Sequence, residues 1–214
     1  MENKRTIIHF ICCVLAACGV LGLSGCQIVE PEKRAYPLVM GIDWQENQYR
    51  IYLGMARLAV STGQGKDGGE EQQGQESGAI VLSGGSKDAI LELYDQSQEL
   101  YLDPGHVQAV IFGKGLLAEP DRMSRVLEEM ETETGLGNSA YAFTAENLWE
   151  IFEKNGTQVE SLGKYLAGIY ENRTWDEEPV TLSQMYRQIH NLGSVARVPE
   201  IITADGEMRV LGNG

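Results

Sequence analysis

Apolar residues fall along this chain in two rhythms, separated by polar breaks rich in glycine or proline. The first is a solid block: Thr6 to Leu23 holds few polar side chains, and Lys4 and Arg5 stand just before it. Past a polar stretch containing Pro31, the run Tyr36–Asp43 (YPLVMGID) is apolar and enters the polar turn Asp43–Asn47. Gln48–Ala59 then alternates, with Tyr49, Ile51 and Leu53 on one side and Arg50, Tyr52 and Gly54 on the other. Two such runs joined by a short polar turn predict a β-hairpin. Ser61–Gly78 has no large apolar residue and is dominated by glycine, glutamine and charge. Such a segment buries too little to offset the entropy of ordering, so it reads as a flexible surface loop, 61–78.

The second rhythm alternates short strands with helical spacing. Ala79–Leu82 reads as a strand, and Ser86 as the N-cap of a helix to about Tyr101 with Ile90, Leu93, Tyr94, Ser97 and Leu100 on its stripe. Asp103-Pro104-Gly105 ends it, and His106–Phe112 (HVQAVIF) is the most strand-like segment, expected at the centre of a sheet. Leu116 and Leu117 open a helical region that continues from Pro120 with Met123, Val126, Leu127 and Met130 at helical spacing. Ser139–Phe143 reads as a strand and Thr144 as the cap of a helix through Phe152, with a turn at Asn155-Gly156. Helices are expected over Val159–Tyr170 and, after Pro179, over Thr181–Leu192. Strands follow over Glu200–Thr203 and Glu207–Leu211, joined at Asp205-Gly206. The predicted fold class is α+β, a mixed β-sheet with helices packed on it. Residues 36–199 are expected to form one domain, and 200–214 to be the first strands of a following one.

The opening apolar block ends in Leu23-Ser24-Gly25-Cys26. A basic start, an apolar run and Leu-Ser-Gly before Cys form a lipoprotein signal, with 1–25 as leader and Cys26 as the acylated first residue of the mature chain. Small residues at 24 and 25 give a peptidase access to the backbone once the Cys26 thiol carries a diacylglyceryl group. Residues 26–35 then form a tether, and the location is the extracytoplasmic face of a membrane. The competing reading is an uncleaved spanning helix, for which the run is short and is broken by His9, Gly19 and Gly22. Cys12, Cys13 and Cys18 leave with the leader and Cys26 is spent on lipid, so the mature domain has neither a disulfide nor a thiolate metal site.

Charge narrows the partners. The net charge is −14, and loss of Lys4, Arg5 and Glu2 with the leader makes it one unit more negative. So acidic a chain argues against nucleic acid and against docking on anionic lipid by charge. Catalytic and metal signals are weak. His106 and His190 are the histidines left in the mature part, and no spaced carboxylate set accompanies them. His106, beside Gly105, reads as structural, and His190 as a partly buried helix residue. Leu82-Ser83-Gly84-Gly85-Ser86 resembles the ABC ATPase signature, yet no P-loop cradle is present, so it reads as a turn into a capped helix. No G-x-S-x-G nucleophile elbow occurs. Glu128, Glu129, Glu131 and Glu133 read as a solvated helix face. Trp149, Tyr170 and Trp175 read as core packing before pocket lining. No cofactor and no enzymatic activity are expected.

The order of these segments resembles the N-terminal half of the Ger(x)C family of spore-germination lipoproteins. The matching features are the lipobox, Gly41-Ile42-Asp43 at a strand end, and the alternating strand after it. Next come a small-residue turn into a helix, Gly105-His106 before an apolar strand ending at Gly113, and Thr181-Leu182 leading to Pro199-Glu200. Gln27-Ile28 stands where that family often has Trp-Asp. The resemblance implies a non-enzymatic, lipid-anchored C subunit of a nutrient germinant receptor at the inner spore membrane. Its implied partners are A-type and B-type receptor subunits, with a small nutrient germinant for the complex. A second reading is a stand-alone, membrane-anchored lipoprotein that binds a small ligand.

Overall fold

The computed structural model describes residues 30–55, 79–133, 135–155, 159, 161–172, 179–192 and 198–212. The leader with Leu23, Ser24 and Gly25, the first four tether residues from Cys26 on, the loop 61–78, Trp175 and Gly156 lie outside the described residues. The chain divides into two units, 1–33 and 34–214. In the first, Pro31–Lys33 forms a 3-10 turn, with Lys33 Nζ 3.0 Å from Glu30 Oε2.

The second unit is built on one seven-stranded sheet. In chain order its strands are β2 (Pro37–Gln45), β3 (Gln48–Met55), β4 (Ile80–Gly84), β6 (Ala109–Gly113), β7 (Tyr141–Ala145), β8 (Glu200–Ala204) and β9 (Glu207–Leu211). Their spatial order is β4-β3-β2-β6-β7-β8-β9. The four central strands β2, β6, β7 and β8 are mutually parallel, and an antiparallel edge flanks them on each side. Strand β6 is buried at every position, as its unbroken Ala-Val-Ile-Phe run requires of a strand covered on both faces. Both hairpin turns use the left-handed region. Glu46 and Asn47 have φ of 51° and 63°, and Asp205 and Gly206 have φ of 56° and 80°. Two-residue turns of that hand match the right-handed twist of the strands they join.

Among the described residues five α-helices pack on the sheet: α1 (Lys87–Ser97), α2 (Lys114–Leu117), α3 (Pro120–Thr132), α4 (Leu162–Asn172) and α5 (Leu182–Leu192). Val110 and Phe112 of β6 point to one face of the sheet, where Val126 and Leu127 of α3 and Met185 of α5 pack on them. Ala109 and Ile111 point to the other, with Leu166 of α4 and Phe152. At Gly163, a Cβ would stand 2.3 Å from the Leu38 carbonyl oxygen, so α4 lies on the backbone of β2 because that residue has no side chain.

The mixed sheet with packed helices is the expected fold class, and several boundaries move. The first helix ends at Ser97, not Tyr101. Tyr101-Leu102 instead forms β5, parallel to β1 (Arg34-Ala35). The last two tether residues are therefore strand. His106 lies in a 3-10 turn, Pro104–His106, before β6 begins. Thr144 and Ala145 belong to β7 rather than to a helix, and Glu150–Asn155 forms a π-turn, with the Glu150 N–H donating to Asn147 Oδ1 at 3.2 Å. Of the segment 200–214, expected to open a following domain, Glu200–Ala204 and Glu207–Leu211 join this sheet. Strand β8 extends it in parallel from β7, and β9 adds the edge.

An ion pair locks the strand nearest the tether. Arg34 Nη1 donates to Asp103 Oδ2 at 2.7 Å, and Asp103 Oδ1 accepts from the Gly105 N–H at 3.0 Å. The guanidinium holds the Asp103 carboxyl below its usual 3.8. A depressed carboxylate contributes stability above the unfolded value and loses it as pH falls through the folded one. Asp103→Asn, which keeps a capping oxygen but no charge, is expected to lower stability at pH 7 by about 1 kcal/mol. In urea titrations the gap to the parent should close as pH falls below 3.8. A gap that stays constant into that range would show the ion pair to be idle.

Candidate functional site: an apolar pocket beside a buried aspartate

Two features stand out in this unit. The first is Asp43, at the end of β2, which is 1 % exposed. Its Oδ1 accepts from the Trp44 N–H at 2.8 Å and, across the sheet, from the Leu116 N–H of α2 at 3.0 Å. Its Oδ2 accepts from Gln45 Nε2 at 2.6 Å, and Gln45 in turn accepts from Arg50 Nη1 at 2.9 Å. These bonds all hold backbone or a neighbouring side chain, which makes the carboxylate a latch between β2 and the start of α2. Beside it the Trp44 ring carries the Arg122 guanidinium 3.6 Å from its centroid and meets Tyr49 edge-on at 4.8 Å. Residues Gly41-Ile42-Asp43 thus form a structural node. Gly41 leaves room for Phe152, whose Cε2 would lie 2.7 Å from a Cβ there.

The second feature is a pocket of about 360 Å³ on the face of the sheet that carries α1 and α3. Its floor is Met40 and Ile42 of β2 with Ile51 and Leu53 of β3. Alternation along β2 and β3 puts these side chains on one face. Ile90 and Tyr94 of α1 and Val126 and Met130 of α3 make the walls. The gap exists because α1 packs on β3 and β4 through Ile90 and Tyr94 while α3 packs over β6, leaving the floor between them uncovered. At the rim Lys87 Nζ meets Glu133 Oε2 at 2.5 Å, with Glu129 close by in the lining. Both partners of that pair are about 40 % exposed (42 % and 38 %), so it adds little stability. The Tyr94 hydroxyl is buried with no hydrogen-bond partner, and burial raises its phenol above the usual value.

Residues 27–203 match the family described as "Spore germination protein N-terminal domain". The chain belongs to that family. No curated protein and no solved structure matches it significantly.

Within this germination domain the residues singled out from sequence scatter. Cys26 and its lipobox lie outside the described residues. His106 stands edge-on to Tyr36, ring centroids 4.7 Å apart. His190 is exposed rather than partly buried, and its Nε2 lies 2.8 Å from Glu131 Oε2. Glu128 and Glu129 face solvent, while Glu131 and Glu133 join the ion pairs just given. Ser86 caps α1 by accepting from the Ala89 N–H at 3.3 Å, the turn-and-cap role expected of Ser83–Ser86. Tyr170 stacks on Phe143 at 5.2 Å in the core, whereas Trp149 is 54 % exposed and belongs to neither core nor pocket. Among the described residues no group of three His, Cys, Asp or Glu could hold a metal ion.

The pocket was missed at the sequence level. Half its signal was there, since Ile90 and Tyr94 share a helical stripe. The stripe as read also held Leu93 and Leu100, which the structure exposes.

Proposed function

We propose that this germination protein is a lipid-anchored, non-enzymatic subunit of a spore germinant receptor. It works at the extracytoplasmic face of the inner spore membrane beside A-type and B-type subunits. The observation that carries this reading is the position of the family match. It begins at Gln27, one residue after the cysteine that closes Leu23-Ser24-Gly25-Cys26. A domain that starts where a lipidated cysteine would become the mature terminus is supplied to the membrane surface by its own chain. The acidic charge and the scattered histidines support work through surfaces rather than through chemistry. Its role in that reading is assembly and coupling of the nutrient signal.

Affinity capture of the tagged chain from solubilised spore inner membranes tests it. Integral-membrane partners encoded beside this chain should co-purify, and spores lacking the chain should respond poorly to nutrients while germinating normally with non-nutrient triggers. Recovery of the chain alone, together with an unchanged nutrient response, would refute the subunit role.

A further inference from the structure

We propose that the pocket between α1, α3 and the sheet takes one esterified fatty acyl tail of a membrane phospholipid. Four observations converge on that occupant. The space is about 360 Å³. A cavity of about 150 Å³ accommodates benzene, so this one has room for roughly fourteen non-hydrogen atoms, a single acyl chain and not two. Apart from the hydroxyls of Tyr49 and Tyr94 and the thioethers of Met40 and Met130, the floor and walls are aliphatic and aromatic carbon, with no charged group below the rim to hold an ionised head inside. At the rim Glu129 and Glu133 outnumber Lys87. An acidic rim selects against a free carboxylate and against anionic head groups, and favours an ester in a zwitterionic lipid.

The fourth observation is placement. Leu102 lines the pocket and pairs in register with Ala35, so the pocket lies beside the strand by which residues 34–214 receive the tether. Apolar surface gathers on the same stretch. Of the seven exposed large hydrophobic residues among those described, Leu91, Leu93, Leu100 and Tyr101 fall within eleven positions, and Leu91 also lines the pocket. The inference rests on the anchored reading only for bringing the domain to a bilayer, and the test below separates the two.

The full chain is reconstituted in phosphatidylcholine nanodiscs doped with a phosphatidylcholine bearing a diazirine midway along one acyl chain, then irradiated and mapped by peptide mass spectrometry. Cross-links should fall on segments 80–102 and 126–136. Ile51→Trp in the floor and Leu82→Trp, at a lining residue of β4, should lower them about tenfold, because displacing even two methylenes weakens burial by that factor. Each filling variant counts only with the parent's circular dichroism spectrum and melting temperature. Glu129→Lys, at an exposed position, should leave the fold intact and raise labelling by the matching phosphatidylglycerol probe. Labels confined to the segment before Arg34, or labels on the pocket that both filling variants leave unchanged, would overturn the proposal while leaving the anchor standing. Failure of the parent chain to float with phosphatidylcholine vesicles would instead overturn the anchor, and pocket labelling of that chain in nanodiscs would still uphold the lipid site.

Discussion

Gly113→Ala is expected to cost this domain about 3–5 kcal/mol of stability. Gly113 ends β6, and a Cβ there would stand 2.1 Å from Asp43 Cγ and 2.4 Å from Asp43 Oδ1. Contacts that short force a shift, and neither side is free to make it. The carboxylate is fixed by the N–H groups of Trp44 and Leu116 and by Gln45. On its other flank Gly115 closes the gap, since a Cβ there would lie 2.2 Å from the Trp44 carbonyl oxygen. Relief must therefore part β2 from β6, which run in register through Ile42 and Phe112. Overpacking costs about 1–3 kcal/mol and a lost bond to a buried carboxylate about 1.5–3 kcal/mol, so a loss of about 3–5 kcal/mol is expected. Against the roughly 5–15 kcal/mol typical of a whole domain, that is from about a fifth of the stability to nearly all of it. Urea titration of the two chains measures it. Gly85→Ala is the matched control, because a Cβ at 85 meets nothing within 4 Å. A Gly113→Ala chain that unfolds at the parent's urea midpoint would show the latch to be looser than its distances imply.

That node shows where sequence reading reached and where it stopped. The apolar run Ala109–Phe112 could be read as a central strand because a strand covered on both faces needs carbon on both sides. The spacing of Met123, Val126, Leu127 and Met130 fixed the buried side of α3 for the same kind of reason: one face, one period. Gly41-Ile42-Asp43 was legible as a strand end. Its purpose was not, since the partner of Asp43 is a backbone N–H 73 positions away. Segment ends failed where tertiary pairing overrode local preference. Tyr101-Leu102 left the helix to pair with Arg34-Ala35, and Thr144-Ala145 stayed in β7 to pair with Glu200-Ile201. The same pairing drew β8 and β9 into the main sheet. The pocket belongs to no segment at all. It is the space left between α1 and α3 over two strands, and a gap has no letters of its own.

Cys26→Ala is expected to leave the chain without acyl mass and with residues 1–25 uncleaved, and to slow nutrient-triggered germination. Each buried CH₂ contributes about 0.8 kcal/mol, so a diacylated cysteine holds a protein on a bilayer stably, where a single short chain would not. Little else offers to replace it. Among the described residues no helix is long and apolar enough to cross a membrane. A net charge of −14 is repelled by anionic lipid, and one tail in the pocket is a single weak hold. The anchor also sets distance. From Cys26 to Arg34 a fully extended chain reaches about 28 Å, so an acylated Cys26 would keep the domain within a few nanometres of the bilayer surface. Carbonate-washed membranes, fractionation and intact-mass measurement of the amino-terminal peptide check this together. The parent peptide should begin at Cys26 and carry acyl mass, and the Cys26→Ala chain should carry none and keep residues 1–25. If the parent's own amino-terminal peptide keeps residues 1–25 and carries no acyl mass, the apolar run from Thr6 to Leu23 is the anchor, and the lipid assignment falls.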